Sequence, residues 1–272
     1  MSVSNDNSAV DQRIKAACQA VLRQVPRLEA DLGKVKSDWK ADGSRVTETD
    51  LAISREILGE LASAFPEDQG FSEELMTGDP IAVTSRYAWV LDPIDGTNNF
   101  AVGLAQCAIS LALMEDGYPI YGVIYDVSRQ RLMHGGRGRG VWDGEEKVKA
   151  LQSRLSRTSK VGFHSPREEG KYPGHGEAIV TCCKVRAIGS SALHLAYVAT
   201  GLLDGVVDHN VKLWDIAAAV AMVEAGGAEV RFLANNPLPL RRFDLDMPAI
   251  LYVAGGKHMC DDLVAVLPPF AP

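Results

Sequence analysis

The sequence predicts a mixed α and β fold, on three observations. Segments with apolar residues at helical spacing interleave along the chain with short strand-like runs bounded by turn residues. No segment repeats at a fixed period, which excludes solenoids and propellers. The 272 residues, 46% hydrophobic and 23% charged, suffice for one large core or two tightly packed ones.

Each element follows from its residues. Ile14, Ala17, Cys18, Val21, Leu22 and Val25 recur at helical spacing within residues 11–32, and Pro26 is expected to kink or end that helix. A polar stretch, 33–44, separates it from a second helix over 47–64, with Asp50 near its start. Residues 87–91 read as a short apolar strand that stops at Asp92-Pro93. Residues 105–115 and 118–126 read as strands joined by Asp116-Gly117, a hairpin signal, and 131–142 as a further hairpin.

From 147 to about 160 the chain turns polar and rich in Ser, Arg and Lys, so the expected halves are 1–147 and 148–272. Beyond it, 161–164 and 178–183 read as strands, with Cys182 and Cys183 on opposite faces. Residues 190–200 read as a helix stopped by Gly201, and 215–225 as a helix with Asp215 as N-cap and Gly226-Gly227 as its stop.

Composition excludes several functions. The formal net charge is −7 with no basic block, which speaks against a nucleic-acid partner. The longest nearly apolar stretches, 105–114 and 216–223, fall well short of the roughly 18 residues a membrane span needs. Residues 1–11 are polar and unlike a secretory signal, so a cytoplasmic location is expected. Five cysteines, an odd number without a Cys-x-x-Cys pair, indicate neither a disulfide framework nor a zinc knuckle.

The chemistry concentrates in Trp89-Val90-Leu91-Asp92-Pro93-Ile94-Asp95-Gly96-Thr97-Asn98-Asn99-Phe100. Asp92, Asp95 and the Ile94 carbonyl, leaving the end of a strand, form an oxygen-only donor set suited to a hard cation such as Mg²⁺. The Gly96 and Thr97 amides then open a turn or helix able to receive a phosphate. A β-turn with Asx-type hydrogen bonding explains the same residues without a ligand. An EF-hand loop is excluded because Pro93 and Ile94 interrupt its alternating donors, and a phospho-aspartyl loop is disfavoured because Pro93 stands where its nucleophile would be.

Other features carry less chemistry. Glu73-Glu74 on their own are a solvated turn. Gly135-Gly136-Arg137-Gly138-Arg139-Gly140 lacks the strand-to-helix register of a phosphate loop and reads as a hairpin with solvated arginines. The six histidines form no His-Glu-x-x-His pattern, and His194, between Leu193 and Leu195, is expected to be packed or capping.

Together, Asp50, Glu73-Glu74, Asp92-Pro93-Ile94-Asp95-Gly96-Thr97, Trp214-Asp215 and Gly226-Gly227 resemble, in order and approximate spacing, the inositol monophosphatase family of Mg²⁺-dependent, lithium-sensitive phosphatases. The likeness runs from the first helix to about Gly256. It implies an α+β fold, the layered αβαβα sandwich of the inositol monophosphatase and fructose-1,6-bisphosphatase type, with the metal site where the halves meet. It further implies two or three Mg²⁺ ions, a small phosphorylated metabolite as substrate, and a homodimer.

Position by position, the resemblance implies that Glu73, Asp92 and the Ile94 carbonyl hold a first metal, and Asp92, Asp95 and Asp215 a second. Thr97 would orient the attacking water, supported by Asp50, with Glu74 nearby and Lys36 close to the metals. Gly189-Ser190-Ser191-Ala192 matches the family's substrate-binding turn at a helix start. Asp208 stands where inositol-processing members carry a Glu that binds ring hydroxyls. The implied reaction is hydrolysis of a phosphate monoester. Inositol monophosphate is the first expectation, with histidinol phosphate, fructose 1,6-bisphosphate and 3′-phosphoadenosine 5′-phosphate in the same class. A catalytically silent regulator that binds phosphorylated ligands is the alternative from another class.

Overall fold

The structure is a computed structural model that describes residues 2–40, 43, 45–75, 79–166 and 170–270. Two helices, α1 (Ser2–Arg23) and α2 (Val25–Asp31), open the chain. The break at Gln24 places Pro26 in the first turn of α2, where its missing N–H leaves no hydrogen bond unmade. A short hairpin, β1 (Ser37–Trp39) and β2 (Arg45–Thr47), leads into α3 (Glu48–Ala64). Residues 41, 42 and 44 of the polar stretch lie outside the described residues.

Strands β3 (Gln69–Ser72), β4 (Ile81–Ala82) and β5 (Tyr87–Asp95) precede the six-residue α4 (Thr97–Val102). Strands β6 (Ala108–Glu115), β7 (Tyr118–Asp126), β8 (Arg131–Gly136), β9 (Gly140–Asp143) and β10 (Glu146–Val148) follow as successive hairpins. The remaining elements are β11 (Lys160–His164), α5 (His175–Cys182), β12 (Lys184–Arg186), α6 (Ser191–Ala199), β13 (Gly205–Val211), α7 (Leu213–Ala225), β14 (Glu229–Ala234), β15 (Arg242–Phe243), β16 (Ile250–Gly255) and α8 (Lys257–Val266).

Two sheets carry the architecture. The first has seven strands in the order β10-β9-β8-β7-β6-β5-β3, and the second five in the order β12-β11-β13-β16-β14. Side-chain alternation stacks them into layers. On β5, Trp89 and Leu91 share a core with Val21 of α1 and Ile57 of α3. Ala88 and Val90, on the opposite face, share another with Ala218 of α7 and Val206 of β13. Val207, the next residue of β13, faces outward to Ile179 of α5 and Met259 of α8. The result is helix, sheet, helix, sheet, helix. Every residue of β5 is buried because the sheet is covered on both faces. The central helix comes close to its sheet: a Cβ on Gly122 of β7 would lie 1.9 Å from the Ala218 carbonyl oxygen.

Three local readings of the sequence are corrected. Residues 178–183 are not a strand but belong mostly to α5, followed by β12. Their run of β-branched residues suggested extended chain, yet Ile179 is buried while Val180 is 57% exposed, the one-sided burial of a surface helix. Strand β5 does not stop at Leu91 but continues to Asp95 through a bulge, since Asp92 pairs with Ser110 and Asp95 with Ala108. Asp215 is the third residue of α7, and the N-cap is Lys212. The arginine-rich turn between β8 and β9 is a hairpin as expected, though Arg139 is paired with Asp11 at 2.8 Å rather than solvated.

Candidate active site

The bulge at the end of β5 builds the centre of the site. Pro93 supplies no N–H to the sheet, and the extra residue between Asp92 and Asp95 breaks the strict alternation of the strand. Asp92 Oδ1 accepts the Ile94 amide at 3.0 Å, so the Asx-type turn allowed by the sequence does form. The turn and the acid cluster coexist in the same residues. Gly96 follows at φ +92°, a conformation only glycine adopts without strain, and a Cβ there would meet the Gln106 carbonyl oxygen at 3.0 Å.

Thr97 opens α4, and its hydroxyl donates to the Ile94 carbonyl at 2.8 Å, with Asp50 Oδ1 at 3.3 Å. Asp50 is held from behind: its Oδ2 accepts the Thr47 amide at 2.8 Å and the Thr47 hydroxyl at 2.5 Å. This reciprocal pairing at the start of α3 is a capping box, with Asp in the position more often taken by Glu or Gln. A helix cap thus doubles as the support for Thr97.

Three carboxylates converge from two regions of the chain. Oxygens of Asp92, Asp95 and Asp215 lie within 4.8 Å of one another. Asp215 is aimed by its amide partner, the Lys212 N–H at 2.7 Å from its Oδ2. Asp95 is fixed from the first sheet to the helix layer between the sheets, since its Oδ2 accepts the Ala192 amide at 2.7 Å and the Ser190 hydroxyl, both at the N-terminus of α6. Glu73 lines the same cavity, of about 530 Å³, with Ile94, Gly96, Thr97, Gly189 and Ser191.

Crowding of buried acids shows in their proton affinity. Burial pushes the Asp215 carboxyl up from its ordinary 3.8 to about 8, with the Asp95 charge adding to it. Burial likewise raises Asp95 to about 6, against the opposing Ser190 and Ala192 hydrogen bonds, and Asp50 to about 6. Asp92 and Glu73 are both raised well above the usual carboxylate range, by burial first and then by Glu73 for Asp92, while Lys40 opposes the rise at Glu73. Such a site holds like charges only with a compensating cation. The donors are all oxygen, so the residues fit a hard divalent ion such as Mg²⁺ and not zinc.

The remaining predicted residues fall into two groups. Glu74 adjoins the cluster through Lys40, whose Nζ lies 2.5 Å from Glu74 Oε1 and 3.7 Å from Glu73 Oε1. Lys36 does not line the cavity, and Lys40 is the lysine that reaches the acids. The expected position was four residues too early, because β1 carries the chain past Lys36 before it turns towards Glu73.

Asp208 does not reach the cavity either. It is fully buried, and its Oδ2 accepts the Ser191 hydroxyl at 2.8 Å and His164 Nδ1 at 2.9 Å. The Gly189 amide donates to His164 Nε2 at 3.2 Å, which leaves the neutral ring's proton on Nδ1, facing Asp208. His164 itself lines the cavity and was not singled out by the sequence. Burial lowers its proton affinity, but the charge and hydrogen bond of Asp208, together with the Asp95 and Asp215 charges, leave it raised; Asp208 in turn is held below its ordinary value by His164 despite burial. His194 is packed, as expected, with Nε2 accepting the Ile188 amide at 3.1 Å. Ser190 acts as the N-cap of α6 and as the donor to Asp95, without lining the cavity.

Comparison with known proteins agrees with this arrangement. The sequence pattern of the Inositol monophosphatase family matches residues 6–265. The chain belongs to the inositol monophosphatase family. The family is one of metal-dependent phosphatases. The Nus factor SuhB of Xylella fastidiosa is 33% identical over 230 residues, covering 80% of each chain. Inositol-1-monophosphatase ImpA of Mycolicibacterium smegmatis is 33% identical over 220 residues, covering 78% of this chain and 76% of that one. The crystal structure of extragenic suppressor protein suhB from Bartonella henselae superposes with a TM-score of 0.78 at 26% identity, over 95% of this chain and 98% of that one. The inositol monophosphatase fold therefore accounts for the five layers, as the sequence resemblance implied.

Proposed function

We propose that this chain hydrolyses a small phosphate monoester with Mg²⁺, inositol monophosphate being the first candidate. The observation that carries the reading is the convergence of Asp92, Asp95 and Asp215 beside Glu73 and Thr97 in one cavity. Glu73, Asp92, the Ile94 carbonyl, Asp95 and Asp215 would hold the ions. Bound there, Mg²⁺ would supply charge neutralisation and a water of lowered pKa.

The chain's own residues do the positioning. The Thr97 hydroxyl, with Asp50 behind it, is placed to hold the attacking water through its lone pairs while its proton rests on Ile94 or Asp50. Lys40 balances part of the charge on Glu73 and Glu74. The Ser190 and Ala192 donors hold Asp95 Oδ2, so its other oxygen is left for the ligand. Gly189, steadied by His164, forms the far wall with Ser191. No covalent enzyme intermediate is needed.

Phosphate release from a panel of esters, each with and without Mg²⁺, tests the reading. The panel takes inositol 1-phosphate, histidinol phosphate, fructose 1,6-bisphosphate and 3′-phosphoadenosine 5′-phosphate. Release that requires Mg²⁺ supports it. The second reading is a catalytically silent regulator that binds phosphorylated ligands, which predicts no release from any ester; the Xylella fastidiosa relative carries the name Nus factor SuhB and not that of a phosphatase. Among the described residues, no helix is long and apolar enough to cross a membrane. A cytoplasmic homodimer is the assembly proposed here, and light scattering of the purified chain checks its mass.

A further inference from the structure

The cavity carries charges beyond the acid cluster. Its lining carboxylates, Glu73, Asp92, Asp95 and Asp215, are all members of that cluster. Asp208 is withdrawn under His164 and Ser191, so the far wall presents no carboxylate to a neutral polyol. Two cations line the cavity instead, Arg45 and Lys212. Lys212 Nζ is engaged by the Met247 carbonyl.

Arg45 is held differently. It stands on β2, two residues before Thr47, on the hairpin that runs into α3 and its cap. Its Nη1 donates to Ser37 Oγ at 2.6 Å, and its guanidinium carbon lies 4.1 Å from the centre of the Trp39 ring. Trp39 is 65% exposed, an unusual position for an indole that buries little of itself in the core. The ring serves the guanidinium as a platform. Among the described residues, no carboxylate lies within ion-pair distance of Arg45. A guanidinium braced on its face and at one nitrogen loses little freedom when it binds, and its remaining N–H groups match a carboxylate or a phosphate in pairs.

We propose that Arg45 is a specificity residue that takes a second anionic group of the substrate, a carboxylate or a second phosphate remote from the ester being cleaved. This rests on the phosphatase reading above. The preferred substrate is then a phosphate ester with an anionic tail, which outranks inositol monophosphate and other neutral polyol phosphates as the candidate within the phosphatase reading.

Two matched pairs of esters test the proposal: glycerol 1-phosphate against 3-phosphoglycerate, and fructose 1-phosphate against fructose 1,6-bisphosphate. Wild-type protein with Mg²⁺ is expected to show kcat/KM about tenfold or more higher for the anionic-tailed member of at least one pair. Arg45→Gln is expected to raise KM for that member about tenfold, leave its kcat unchanged and leave the neutral-tailed ester unaffected. Arg45→Lys, which keeps the charge and loses the fork, is expected to restore part of the preference and guards against a folding defect in the first variant. Equal kcat/KM within both pairs, or an equal loss on both members in Arg45→Gln, overturns the role of Arg45 and leaves the phosphatase reading standing. Release from none of the four esters while inositol 1-phosphate is hydrolysed overturns the role of Arg45 alone, and release from none of them nor from inositol 1-phosphate overturns both.

Discussion

Asp95 on β5 accepts the amide of Ala192 on α6 at 2.7 Å, across 97 residues of sequence. The acid cluster is therefore a joint between the first sheet and the central helix layer as well as a candidate metal site. One oxygen of Asp95 belongs to the fold, and on the proposed metal-site reading the other would go to the ligand.

Asp95→Asn separates those two roles. The amide oxygen can still accept from Ser190 and Ala192, so the joint survives, and a buried carboxyl with proton affinity raised to about 6 is removed. Melting of the metal-free variant is expected to stay within about 1 kcal/mol of wild type. Mg²⁺-dependent phosphate release is expected to fall about 10²-fold or more, because charge placement supplies most of such catalysis. A variant with full turnover would remove Asp95 from the ligand set.

Ser190→Ala acts on the other side of the joint. The hydroxyl caps α6 by accepting the Leu193 amide at 3.2 Å and donates to Asp95. Loss of the cap is expected to cost about 1 kcal/mol, read from chemical denaturation. Loss of the donor raises the proton affinity of Asp95, so the Mg²⁺ titration midpoint is expected to move to higher concentration at pH 6 and less at pH 8.

The metal-free protein is expected to lose stability as pH rises from about 4 to about 8. Asp50 and Asp95, raised to about 6, bind more protons folded than unfolded over the lower part of that window, and Asp215, raised to about 8, over the whole of it. Their contribution is thus complete below the ordinary 3.8 and is lost as each ionises in its crowded site. Mg²⁺ needs the ionised forms, so its stabilising shift grows in the same direction. At about 100 times its Kd the ion adds about 2.7 kcal/mol, a rise in Tm of about 5–10 °C near pH 8. Differential scanning calorimetry at pH 5 and pH 8 checks this. A larger Mg²⁺ shift at pH 5 would contradict it.

Gly122→Ala tests the layered packing without touching the site. The new methyl would lie 1.9 Å from the Ala218 carbonyl oxygen and 2.5 Å from its carbon, so α7 must shift from the sheet. A cost of about 3 kcal/mol or more is expected from urea unfolding.

Legibility in the sequence followed range. Asp92, Asp95, Gly96 and Thr97 are neighbours in the chain, and their residue types alone suggest oxygen ligands beside a turn. The Asp116-Gly117 hairpin was equally plain, because both residues take positive φ in the structure. The link from His164 to Asp208 and Gly189 spans 44 and 25 residues, and no local pattern marks it. Lys36 and Lys40 differ only in where a three-residue strand points the chain, which is set by its partner β2. The N-cap was misplaced from Lys212 to Asp215 because an Asp fits either end of a capping interaction. Its side chain reaches back to the Lys212 amide instead of forward.

Anomalous diffraction from crystals soaked in Mn²⁺, which substitutes for Mg²⁺ at oxygen ligands, tests the central claim most directly. The account predicts density peaks bounded by Asp92, Asp95, Asp215, Glu73 and the Ile94 carbonyl. Clear maps with no peak there, and with the Asp92 and Asp215 carboxyls paired through a shared proton at neutral pH, would contradict it.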